Sequence, residues 1–375
     1  MRIMYFFAQY RSAMYMWQND HIIDELKRHS IDVEIFNPLL YESFDKANEE
    51  ACKIISVGEY DLFMTCETDE VCYVHTIEQA KRKGIPTLLY CFDSLMTPLN
   101  HRKIAPHVDA VMISQKDNTG VFKSYNSNTI VSHYAANPFF FKFGNAGGEK
   151  LRICFPGTVY GSRNTVIKKL VDAGIDISLF FGKASTDRQL KSDIAGNLPT
   201  APIQRSSPLQ VAGRLLRYNE GRKVLAGALL SALKKAEPIN FESPNIQISP
   251  AVDLKQTNEI YAKHALSLSI SIGRNTGVLK NPIQIVHLRN FEIPMSGGVQ
   301  FCQYYDELSE CFEENKEIIF YRTEDEMIDK ARFYLRPDQE NVRNSIRIAA
   351  RRRSEMEHTW FCRFSKAFDA LGLKY

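Results

Sequence analysis

The stretch LRNFEIPMSGG (288–298) places one carboxylate, Glu292, among apolar and small residues, three positions after Arg289 and just ahead of a glycine pair closed by Gly297 and Gly298. An unpaired carboxylate is costly to bury. Glu292 must therefore pair with Arg289 or meet a hydroxyl-bearing ligand. A helix over 290–295 would set it on a first turn, where the dipole favours negative charge and a carboxylate can accept two ribose hydroxyls. A second stretch, CFPGTVYGSRNTVIKKLVDAG (154–174), reads as strand, turn and helix. Gly157 and Gly161 would let main-chain N–H groups approach an anion at the helix start, and Arg163 could grip phosphate oxygens. The spacing is neither that of a P-loop nor GxGxxG, and an ordinary turn with a surface arginine would look the same locally. Lys280, Arg274 and His287 lie near in sequence without an assigned role.

Earlier in the chain, Asp93 follows the apolar run LLYCF, and His133 sits in TIVSHYA. At a strand's end Asp93 could take a proton from a hydroxyl nucleophile, or simply cap the next turn beside Ser94. His133 could act with it or be a satisfied structural histidine. Glu67, Asp69 and Glu70 in CETDEV read as a solvated loop.

These residues need elements to hold them. Short apolar runs at 3–8, 33–36, 61–65, 86–92, 110–115 and 129–135 alternate with helical spacing at 20–30, 43–57 and 73–83. That alternation predicts a parallel sheet covered on both faces. The pattern breaks at 139–150 and resumes with strands at 151–157, 177–182, 246–250, 266–273, 299–303 and 317–321. Residues 208–236 read as one long helix carrying Arg214, Arg217, Arg222, Lys223, Lys234 and Lys235, which could rest on an anionic membrane or, as such helices more often do, pack on its own domain. RIAARRRSE (347–355) reads as a solvated helix face. The expectation is two α/β domains with a ligand cleft between them.

The chain has 375 residues, 44% hydrophobic and 24% charged, with a net charge of +3. This is a globular composition, too weakly basic to imply nucleic-acid binding. Eight scattered cysteines without CxxC suggest thiols in a reducing compartment, hence a cytoplasmic location, peripheral at the inner face of a membrane if 208–236 docks there. No run approaches the length of a membrane span.

Beyond these readings, RNFEIPMSGG, YYDELSECFEENKEIIFYRTEDEMIDKARFYL and EHTWFCRF resemble the carboxyl-terminal domain of CgeB-type, spore-maturation-protein-like glycosyltransferases, with FPGTVYGSR similar to that family's first turn. The resemblance implies a GT-B fold, two Rossmann-like domains facing each other across a cleft. It assigns 1–142 to an acceptor domain, 150–355 to a donor domain with 183–245 unassigned, and 356–375 to a helix returning to the first domain. It implies a hexosyltransferase-like enzyme of polysaccharide or cell-envelope biosynthesis. The donor would be a UDP- or GDP-linked nucleotide-sugar, the acceptor a glycan or lipid-linked hydroxyl. Glu292 would hold the ribose, and Gly157, Tyr160, Gly161, Arg163, Arg289 and Gly297 would line the rest of the donor site. Asp93 and His133 become the catalytic candidates. The lack of Asp-x-Asp fits leaving-group stabilisation without a metal or cofactor. Gln284 departs from the pattern, since many relatives carry a glutamate there. That departure motivates the alternative of a binding protein that kept the fold. A nicotinamide oxidoreductase ranks last, because FFAQYRSAMYMW lacks GxGxxG.

Overall fold

The computed structural model describes residues 1–10, 17–144, 148–182, 207–234 and 238–375. Among these, residues 1–137 and 359–375 form one compact unit and residues 138–182 and 207–358 a second. Each is built on a six-stranded, fully parallel sheet.

In the first unit the strands are β1 (Arg2–Phe6), β2 (Asp32–Phe36), β3 (Leu62–Thr65), β4 (Thr87–Cys91), β5 (Ala110–Ile113) and β6 (Thr129–Val131). Their order is β2-β1-β3-β4-β5-β6. Every residue of β3, β4 and β5 is buried, which is why these strands read as unbroken apolar runs rather than alternating ones. Helices such as Phe44–Val57 bury Ala47, Ala51 and Ile55 against this sheet. The last helix, Trp360–Ala370, belongs to this unit. Its first N–H groups are taken by Glu25, whose carboxylate accepts from Phe361 at 2.8 Å and from Trp360 at 3.2 Å. Burial pushes the Glu25 carboxyl up to about 7 despite those bonds.

The second unit contains β7 (Lys150–Pro156), β8 (Ile177–Phe180), β9 (Ile246–Ser249), β10 (His264–Ser269), β11 (Gln300–Gln303) and β12 (Ile319–Tyr321). They run in the order β12-β11-β10-β7-β8-β9, the doubly wound order of dinucleotide-binding domains. Its core gathers Ile153, Phe155, Leu266, Leu268, Phe301 and Ile319 from four of the strands with Ile177 and Leu179 from β8.

Two expectations require correction. Residues 208–234 are not one helix: Pro208–Leu215 and Asn219–Leu233 are separated by a reversal in which Tyr218 is extended (φ −143°, ψ 160°), and Lys235 and Ala236 lie outside the described residues. Gly221 allows it, since a Cβ there would stand 2.1 Å from the Leu215 carbonyl oxygen. Nor is 347–355 wholly solvated. Arg343 and Arg347 are fully buried on helix Glu340–Glu357 and both pair with Glu149, just before β7. Arg351 donates to the Met295 and Phe141 carbonyls, tying the same helix to the end of the segment that carries Glu292.

Candidate functional site

At the carboxyl end of β7 the backbone turns sharply through Gly157, whose φ of 145° favours glycine. A Cβ there would lie 2.8 Å from Arg289 Nη2, so the residue's smallness admits the guanidinium. Arg289 donates to the Pro156 carbonyl at 3.0 Å and lies over the Phe155 ring, 5.1 Å from its centroid. Arg163 approaches the same ring at 5.8 Å, covers Tyr160 at 4.6 Å, and donates to the Thr158 carbonyl at 2.9 Å. Two arginines thus share one aromatic platform. The hydrogen bonds just named run from both arginines to main-chain carbonyls. Burial, then the Arg289 charge, lowers Arg163 from its ordinary value.

Arg163 also stands in the first turn of helix Ser162–Asp172, which has neither a side-chain cap nor an acidic residue there. A cation at that end opposes the helix dipole unless an anion is present. The helix begins where it does because Ser162 Oγ donates to the Arg274 carbonyl and accepts from the Gly277 N–H, both at 3.0 Å. Gly161 (φ 55°) meets the Asn275 side-chain oxygen and the Arg274 carbonyl too closely for any side chain. Beside it opens a cavity of about 650 Å³ lined by Val166, Ile272, Met327, Lys169, Lys280 and Arg322, among others.

Glu292 lies in the first turn of helix Arg289–Met295 and is 7% exposed. Tyr261, buried, is raised to well above the ordinary tyrosine range by burial. The Arg289 charge opposes that rise and the Glu292 charge adds to it. Gly297 (φ 76°) closes the helix, with Phe143 occupying the space of a Cβ. His287 was unassigned by the sequence. Its Nε2 is buried without a hydrogen-bond partner, as is Arg289 Nε. Burial, then Arg289 and Arg163, hold this imidazole down at about 3, so it is neutral at physiological pH. Gln284 donates to the Tyr304 carbonyl at 3.3 Å.

The first unit holds the other candidates. Asp93 is exposed just past β4, and the Tyr134 hydroxyl donates to its Oδ1 at 3.3 Å. His133 follows β6, its Nδ1 3.0 Å from the Ser114 carbonyl. The acidic loop after β3 is not simply solvated. Glu67 accepts the Ala8 N–H at 2.8 Å, and Asp69 accepts from Lys103 at 2.9 Å and Ile104 at 3.2 Å. Burial raises Glu67 to about 7.

The family described as Glycosyl transferase-like matches residues 201–369. No curated protein matches the chain. Among solved structures, an alpha-glucosyltransferase in complex with UDP and a 13-mer DNA is similar at a TM-score of 0.56 and 14% identity, covering 99% of both chains. HepE from Anabaena, solved with UDP and glucose, is similar at 0.56 and 10% identity over 99% of both chains. Sucrose-phosphate synthase from Thermosynechococcus elongatus is similar at 0.54 and 10%, again over 99% of each. The fold is the GT-B fold of these proteins.

Proposed function

We propose that this chain is a glycosyltransferase that moves a sugar from a nucleoside diphosphate sugar to a hydroxyl acceptor. The observation that carries this reading is the cationic end of β7. Arg163 and Arg289 over Phe155, beside a helix start with neither a side-chain cap nor an acidic residue, form a cationic surface suited to an anion. A diphosphate is such an anion. Cleavage of the glycosyl–phosphate bond leaves negative charge on the departing diphosphate, and fixed donors in a partly dry site stabilise that charge as it develops. Arginines and the helix dipole do this without a metal, so activity should survive chelation. Neutral His287 could donate or accept a proton-bearing bond there without adding charge. Glu292, at the start of the neighbouring helix, is the group for the ribose hydroxyls.

Asp93 would accept the acceptor's proton if the anomeric centre inverts, with Tyr134 fixing the carboxylate through the bond to Oδ1. If the centre is retained, Asp93 and His133 would position the acceptor. The UDP bound in the alpha-glucosyltransferase and HepE structures makes UDP-linked donors the first to try, GDP-linked donors the second. The family match over 201–369 supports the class of reaction.

The test is hydrolysis or transfer from a panel of nucleotide-sugars by the full chain, compared with Arg163→Ala and Arg289→Ala. Full activity in both variants would remove the proposed donor site. The second reading, a binding protein that retains the fold, is favoured by Gln284, whose amide is held by the Tyr304 carbonyl. Stabilisation by a nucleoside diphosphate without turnover across acceptors would select it.

A further inference from the structure

Residues 219–233 invert the usual arrangement of a surface helix. The side of helix Asn219–Leu233 turned toward the body of the second unit carries Gly221, Val224, Gly227 and Ser231. A Cβ on Gly227 would stand 2.9 Å from the Asn275 carbonyl oxygen, and the Ser231 hydroxyl donates to that same oxygen at 3.5 Å. An apolar series at i, i+3, i+4 and i+7 ordinarily marks the core-facing stripe. Here that series is Ala226, Leu229, Leu230 and Leu233, and it faces out: Leu229 is 68% exposed and Leu233 80%. The preceding helix adds Leu209 at 84%, and Val211 and Leu216 are exposed as well. Isolated exposed leucines need no explanation, but a periodic series of them does.

Cations frame the series. Residues 207–234 contain Arg214, Arg217, Arg222, Lys223 and Lys234 against one acid, Glu220. Arg222 lies on the same helical line as Ala226, Leu229 and Leu233, one, two and three turns ahead of them. A second copy of this chain would bring like charges face to face around the leucines. Protein interfaces generally deplete such charge from their cores. An anionic phospholipid surface satisfies both features at once, with aliphatic side chains at the acyl boundary and cations among the headgroups. No helix among the described residues is long and apolar enough to cross a membrane, so the contact is interfacial.

We propose that residues 207–234 are an interfacial anchor for an anionic phospholipid surface. The proposal does not rest on the donor site: Ser231 and Lys234 of this segment line the cavity beside Gly161, but the side chains changed in the test below do not. The test is co-sedimentation of the full chain with phosphatidylcholine vesicles, with and without phosphatidylglycerol, at low and high salt. Binding should require the anionic lipid and weaken with salt. Arg222→Gln with Lys223→Gln should lower partitioning about thirtyfold, from roughly one charge interaction lost per residue. Leu229→Ser with Leu233→Ser should also lower it, while far-UV circular dichroism stays unchanged because these side chains are exposed. Stabilisation by UDP should be the same in all variants. Equal binding to neutral vesicles, or none to anionic ones, overturns the proposal. So does a concentration-dependent dimer in sedimentation equilibrium that the leucine changes abolish, which would assign the stripe to a second copy.

Discussion

The two parallel sheets differ most where their crossovers diverge. In the first unit that point lies between β1 and β3, in the second between β7 and β10. Open α/β sheets receive ligands at such points. In the first unit the place is filled from within: Glu67 accepts the Ala8 N–H, and Thr65 Oγ1 donates to the Phe6 carbonyl at 3.0 Å. In the second, Gly157 clears space and two arginines crowd it. In the first unit the chain supplies its own carboxylate to the main-chain donor, while in the second two arginines meet a ring face and main-chain carbonyls. Topology locates the switch point, and side-chain charge decides what kind of group can sit there.

The sharpest way to break this comparison is to remove the charge. Arg289→Ala should reduce kcat by about a hundredfold to a thousandfold, the range for deleting one donor that stabilises a developing anion. Arg163→Ala should follow closely. Glu67→Gln, at the equivalent place in the first unit, should leave UDP affinity unchanged when measured by calorimetry. Should Glu67→Gln weaken UDP as much as Arg289→Ala, the two sites would not be the opposites described.

Glu292→Ala should cost about tenfold to a hundredfold in affinity for UDP, the loss of one or two charge-assisted bonds to ribose hydroxyls. The free base should show no such difference between variant and parent. Glu292→Gln, which keeps an acceptor but not the charge, should fall between them. A uniform loss of melting temperature in Glu292→Ala with unchanged UDP affinity would instead make the residue structural.

Much of this was legible in the sequence, and what was not has a common cause. The apolar runs marked the strands because sheets buried on both faces leave no alternation to misread. Glycines at 157 and 161 and arginines at 163 and 289 carried recognisable chemistry. However, the space at Gly157 is used first by Arg289, a contact between residues 132 positions apart that spacing cannot reveal. Glu67 was read as solvated because its partner, Ala8, is 59 residues away. Arg347 looked exposed for the same reason, since Glu149 lies 198 residues before it. The single long helix over 208–236 failed at Tyr218, where no proline announces the break. His287 could be noticed as titratable, but its orphaned nitrogen is meaningful only once the two arginines stand beside it.

Acid should separate the two units. Glu25 and Glu67 titrate near 7 in the folded first unit against about 4.5 unfolded, so folding there favours proton uptake between those values. As pH falls from 7 toward 4.5 these carboxyls add stability, each on the order of 3 kcal/mol at full titration. His101, held down at about 4, offsets part of the gain below pH 6.5. The second unit contains the reverse case. His264 at about 4 and His287 at about 3 stay neutral while their unfolded counterparts protonate, so stability falls as pH drops below 6.5. Hydrogen exchange corrected for intrinsic rates should show protection at pH 5, relative to pH 7, rising for β1 and β3 and falling for β7 and β10. Glu67→Gln should flatten the first response and His287→Asn the second. The same direction in both units would contradict the contrast.

The smallest expected effect concerns how two helices begin. Helix Trp360–Ala370 has its first N–H groups covered by Glu25 and by Thr359, whose Oγ1 accepts from Cys362 at 3.1 Å. Helix Ser162–Asp172 has no side-chain cap and starts with Arg163. Thr359→Ala should therefore cost about 1 kcal/mol of stability in urea unfolding, the usual value of a lost N-cap, and leave UDP affinity untouched. The uncapped helix should respond in the opposite way. Asn164→Asp adds a carboxylate to its first turn, which the dipole rewards by about 0.5 kcal/mol in the free protein, while UDP binding weakens because the new charge competes with the diphosphate. Stability gained and affinity lost in the same variant is the signature of a helix end kept open for an anion. An Asn164→Asp protein that binds UDP as well as its parent would show that the diphosphate lies elsewhere.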